Sequence, residues 1–113
     1  MAIARQHESI EPNRAAIDAL PGPVVVEFST PWCGHCLAAQ PLLEAAFATF
    51  PQVRHIRIED GSGRPLGRSF KVKLWPTLVF LRDGEEVARV VRPGDAIAVG
   101  QGLALITAAD RAT

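Results

Sequence analysis

The sequence predicts an α/β fold, a three-layer α/β/α sandwich around a central mixed β-sheet. Three observations carry this. A continuous apolar run, Val24 to Phe28 broken only by Glu27, reads as a strand covered on both faces. Helical and strand-like segments alternate along the chain, which calls for crossover helices between parallel strands. The turn signal Asp83-Gly84 between two further strand-like runs adds an antiparallel hairpin.

The elements follow in order. Met1 to Glu8 shows no period and reads as a tail or a degenerate edge strand. Pro12 to Leu20 reads as a short helix, with Ile17 and Leu20 three apart and Pro21-Gly22-Pro23 stopping it. Val24 to Ser29 is the first strong strand. Within it Glu27 is an anomaly: a carboxylate without a partner among apolar residues is costly to ionise. That predicts a neutral or hydrated group with a raised pKa. Thr30-Pro31-Trp32 turns the chain. From Cys33 onward, Cys36, Ala39, Leu43, Ala46, Phe47 and Phe50 keep a helical period. Pro41 lies inside that helix, removes one backbone bond and predicts a kink.

Val53 to Glu59 reads as a second strand with Ile56 and Ile58 on one face. Asp60 to Gly63 is a loop, and Pro65 opens a short helix through Phe70. Thr77 to Leu81 is a third strand, and Val87 to Val91 its antiparallel partner. Pro93-Gly94-Asp95 interrupts the chain and offers Asp95 as an N-cap. The last helix buries Val99, Leu103 and Ile106. Gly100 and Gly102 each weaken it by roughly 1 kcal/mol relative to alanine, so a loose or irregular helix is expected.

The length, 113 residues, suits one domain over residues 1–113, with residues 1–8 as its tail or degenerate strand. Apolar residues make up 48%, enough for a core. Twelve basic residues balance 12 acidic ones, which argues against nucleic acid or an anionic membrane as partner. No apolar run is long enough to span a bilayer. The first ten residues, with Arg5, His7 and Glu8, lack an apolar signal segment, so the chain reads as cytoplasmic and, with no partner signal, as a monomer.

The 2 cysteines, Cys33 and Cys36, are three apart. A disulfide that stabilises a fold closes a long loop, and this pair cannot. It is placed for chemistry. Disulfide exchange needs a thiolate, whereas a free cysteine has a pKa of about 8.5. Cys33 sits where a strand hands over to a helix, and there unpaired N–H groups and the helix dipole favour an anion. Cys33 is therefore the candidate nucleophile, and Cys36, one turn deeper, the candidate resolving thiol. His35 between them can stabilise the thiolate further when protonated.

Taken together, Val26-Glu27-Phe28, Pro31-Trp32-Cys33-Gly34-His35-Cys36, Pro41, Trp75-Pro76-Thr77 and Asp83-Gly84-Glu85, in this order, resemble the thioredoxin family over about residues 12–108. The Cys-Gly-His-Cys segment is more similar to a protein disulfide isomerase domain than to a housekeeping thioredoxin. The resemblance implies a thiol–disulfide oxidoreductase acting on protein thiols and disulfides. It implies a potential between about −270 and about −180 mV, nearer the second. It implies Glu27 as acid–base for Cys36, a cis Pro76 facing the cysteines, a Trp75 backbone free to pair with an extended substrate, and Trp32 and Gly34 on the rim. Two positions depart from the family pattern. Trp75 replaces a small or β-branched residue, and can stack on a substrate or cover the groove. Arg92 stands at the place of a loop glycine on the binding surface.

No flavin or nicotinamide fingerprint is present, so no cofactor is expected and electrons must come from a separate reductase or redox partner. A structural zinc site wants four ligands, and Cys33, His35 and Cys36 offer too few. The remaining rival is a binding or chaperone module that keeps the fold with weak or no turnover.

Overall fold

The structure, a computed structural model, describes residues 3–108. Its elements are α1 (Arg14–Asp18), β1 (Pro23–Ser29), α2 (Gly34–Phe47), β2 (Arg54–Glu59), α3 (Pro65–Ser69), β3 (Thr77–Arg82), β4 (Glu85–Val91) and α4 (Ala96–Ala108). The strands lie side by side in the order β2-β1-β3-β4. β1 runs parallel to β2 and antiparallel to β3, and β4 runs antiparallel to β3. The sheet is mixed, as the sequence predicts.

The two-residue period of β1 divides the core. Val24, Val26 and Phe28 face one side with Ile56, Ile58, Val79 and Leu81, and Ile17, Leu66 and Phe70 from the α1 and α3 regions close it. Val25 faces the other side with Leu78 and Phe80, beneath Leu43 and Phe47 of α2 and Val99, Leu103 and Ile106 of α4. Both sheet faces are apolar, so helices must cover both. Each fully buried Leu, Ile or Phe side chain there contributes roughly 1.5–3 kcal/mol.

The register brings distant segments to one end of the sheet. β1 ends at Ser29 and leads through the turn to Cys33 at the start of α2. Thr77, directly after Pro76, pairs with Phe28 on one side and Val91 on the other. Cys33, Pro76 and Arg92 are thereby delivered to the same edge. At the opposite end Asp83 and Gly84 both have positive φ, 52° and 83°, as a type I′ hairpin turn requires.

Two expectations change and a third is narrowed. α4 is a continuous helix rather than a loose one. A Cβ at Gly102 would lie 2.6 Å from the Phe80 ring, so the bare glycine lets the helix seat closely on the sheet. Asp95 Oδ1 accepts from the Ile97 and Ala98 N–H groups at 3.0 and 3.2 Å and offsets part of the glycine cost. α2 continues through Pro41 but stops at Phe47, and Phe50 follows in a turn, half-buried against the core. Of the two readings of the N-terminal segment, residues 3–8 take the degenerate edge strand rather than the free tail. His7 bridges Arg57 in parallel fashion and the Glu8 N–H donates to the Arg57 carbonyl at 2.9 Å, laying a strap along β2. Met1 and Ala2 lie outside the described residues.

Candidate active site

Cys33 is the N-cap of α2, with φ −85° and ψ 117°. Its Sγ accepts the Cys36 N–H at 3.2 Å and lies 3.9 Å from the Trp75 carbonyl oxygen. A helix N-terminus presents unpaired N–H groups, so negative charge on this sulfur is met by donors. Both thiols are free, and Cys36 is the more deeply buried, 1% exposed against 7% for Cys33. Burial pushes the Cys36 thiol up to about 12, with the hydrogen bond to Cys33 acting the same way and the Thr30 backbone opposing it. At neutral pH Cys36 holds its proton, and some group must take it before the sulfur can attack.

Glu27 is fully buried beneath this pair of elements, and it is not the unpartnered carboxylate that the sequence suggests. Oε1 lies 2.8 Å from His55 Nε2 and 3.6 Å from Arg57 Nε. Oε2 accepts from the Gln40 side-chain amide at 3.1 Å. The cause is strand register. Val25 lies opposite His55 and Glu27 opposite Arg57, so the polar positions of β2 share a face with Glu27. Gln40 also donates to the Cys36 carbonyl at 3.3 Å and ties the acid to the first turn of α2. His55 and Gln40 escape the sequence reading. The available signal is the alternation in Arg54-His55-Ile56-Arg57-Ile58-Glu59, which aligns polar positions 55, 57 and 59 on one face.

The groove beside the cysteines is walled by two tryptophans. Trp32 is 72% exposed and meets Trp75 edge-to-face, 5.5 Å between rings. The Trp75 indole N–H donates to Asp60 at 2.9 Å, so this ring is anchored as a wall rather than free to stack. The Trp75–Pro76 peptide bond is cis. The Trp75 backbone is only half free, contrary to expectation: its carbonyl accepts from Arg92 Nε at 2.9 Å. Arg92 takes φ 50°, a left-handed conformation that glycine adopts without steric cost, and its N–H donates to the Pro76 carbonyl at 3.0 Å. Gly34 and His35 are exposed on the first turn of α2, and the His35 ring makes no side-chain hydrogen bond among the described residues. Next to these residues in the chain, Leu37, Leu74 and Val91 are also exposed apolar side chains.

Among the described residues no cluster of three or more His, Cys, Asp or Glu could hold a metal ion. No helix among them is long and apolar enough to cross a membrane.

A sequence model of the family described as Thioredoxin matches residues 9–101. The thioredoxin of Chlamydia muridarum is 42% identical over 71 residues, covering 62% of this chain and 69% of its own length. Thioredoxin H2-1 of Oryza sativa is 34% identical over 68 residues, 60% of this chain and 49% of that protein. Among solved structures, thioredoxin 2 from Pseudomonas aeruginosa in its reduced form superposes with a TM-score of 0.84 and is 53% identical. The superposition covers 95% of this chain and 99% of that one.

Proposed function

This chain belongs to the thioredoxin family of protein-disulfide oxidoreductases, which work through a Cys-x-x-Cys pair, and on that premise we propose that it reduces protein disulfides with Cys33 attacking and Cys36 resolving. The observation that carries this reading is the Cys36 N–H donating to Cys33 Sγ at the first turn of α2. A sulfur held there faces a donor for the negative charge that the attacking atom carries in disulfide exchange.

The Cys33 thiolate attacks one sulfur of the substrate disulfide, forms a mixed disulfide and expels the other sulfur as a thiolate. Glu27 takes the Cys36 proton. The Cys36 thiolate then attacks Cys33 Sγ, forms the Cys33–Cys36 disulfide and releases the second substrate thiolate, on which the proton ends. Two electrons and two protons from a separate reductase restore the dithiol. Residues 1–113 work as one domain and a monomer. Trp32, Trp75, Pro76 and Gly34 form the face that receives an extended substrate, which pairs with the Trp75 N–H. His35 steadies the thiolate from the solvent side. Arg92 holds the Trp75 carbonyl and turns its exposed guanidinium edge to the substrate.

The test is the equilibrium reduction potential of Cys33–Cys36 against glutathione, with a Cys36→Ala variant alongside. A potential between about −270 and −180 mV is expected, with the variant accumulating mixed disulfides through Cys33. An Arg92→Gly variant in the same trapping assay should change which substrates are captured and leave the potential in place. A pair that does not cycle, or a variant that traps nothing, rejects the reading and leaves a binding module.

A further inference from the structure

We propose that His55 is a positioning residue: a neutral imidazole of fixed tautomer that holds Glu27 ionised and ready for the Cys36 proton. This rests on the reading of Glu27 as the base. The tautomer follows from the partners. His55 Nδ1 lies 2.9 Å from the Ala4 backbone nitrogen. A backbone N–H can only donate, so Nδ1 must accept and carries no proton. The ring proton therefore sits on Nε2, 2.8 Å from Glu27 Oε1. The imidazole is fully buried and held against the Phe47 ring, 4.8 Å between centroids.

Both oxygens of Glu27 thus face donors, His55 on Oε1 and Gln40 on Oε2. Donors aimed at both oxygens favour the carboxylate over the acid, and Arg57 supplies the nearby positive charge. The same geometry denies His55 a second role. Forming the imidazolium would point an Nδ1–H at the Ala4 N–H, so the ring cannot pass a proton outward. The proton from Cys36 must arrive on the Oε2 side. There the donor to displace is the Gln40 amide, which also bonds the Cys36 carbonyl. Among the described residues, the other ionisable groups that interact with this carboxylate are Arg57 from β2, Cys36 from the start of α2, and His7 from the strap, which senses Glu27 electrostatically.

The experiment follows the rate at which Cys36 resolves a preformed mixed disulfide at Cys33, across pH, in wild type, His55→Leu, His55→Gln and Glu27→Gln. A hydrogen bond to a charged group implies about a tenfold slower step for His55→Leu near neutrality. The acid limb of its profile should move to higher pH, with the wild-type rate regained in alkali. His55→Gln, which keeps a donor, should restore most of the neutral rate. Nitrogen NMR of the wild type should show Nδ1 unprotonated and Nε2 protonated throughout. If Glu27→Gln resolves at the wild-type rate, the base assignment and this proposal fall together. If Glu27→Gln is slow while His55→Leu is unaffected, the base stands and the proposal is overturned. A His55→Leu defect that alkali does not relieve, or a doubly protonated ring in the wild type, also overturns it.

Discussion

The Cys36 thiol is buried to 1% exposure and pushed up to about 12 from an ordinary 9.0. Three residues earlier in the chain, Cys33 caps a helix and opens onto the groove. Two cysteines of identical covalent chemistry thereby acquire different tasks. At about pH 7 iodoacetamide should add once to the reduced chain, at Cys33, since only thiolates react appreciably. Mass spectrometry of the Cys33 and Cys36 peptides decides it, and equal labelling of both would contradict the assignment. The same shift has a stability consequence. The folded value lies above the unfolded one, so this thiol's contribution is complete below 9.0 and is lost as pH rises through about 12. A urea midpoint that falls more steeply in wild type than in Cys36→Ala over that alkaline window would show it.

Two glycines in α4 test how helix propensity and packing trade. A Cβ at Gly100 would meet open space, whereas one at Gly102 would enter the Phe80 ring. Gly100→Ala should stabilise the protein by roughly 0.5–1 kcal/mol through propensity alone. Gly102→Ala gains the same propensity but overpacks the core, at a cost of about 1–3 kcal/mol, and should come out destabilised. Urea unfolding of both variants separates the terms; equal midpoints would refute the close seating of α4. The sequence shows both glycines and their propensity cost. It does not show that Phe80, 22 positions away, lies beneath only one of them.

Across the whole molecule, the strap of residues 3–8 connects the surface to the buried acid. Ala4 donates to His55, the Arg5 carbonyl accepts from Arg57 and His7 bonds Ser29. Burial lowers the His7 pKa from 6.5, and the nearby Arg57 acts the same way. The folded state thus prefers neutral His7. Its contribution is present above 6.5 and is lost as pH falls through the lower folded value. Hydrogen exchange should show the Glu8 amide losing protection at about pH 5 relative to about pH 8, while the amides of β1 keep theirs. His7→Gln should flatten that dependence, and an unchanged profile would detach His7 from the control of the strap.

The order of helices and strands, the hairpin at Asp83-Gly84, the cap at Asp95 and the placement of Cys33 at a helix start are all legible in the sequence. Each depends on hydrophobic period or on turn and cap residues within a few positions of one another. The partners of Glu27, the occupied carbonyl of Trp75 and the seat of Gly102 were decided by tertiary structure alone. Ala4 and His55 are 51 residues apart, Glu27 and His55 28, and Trp75 and Arg92 17. Such pairs depend on strand register, and register is fixed by burying an apolar sheet face against segments distant in the chain.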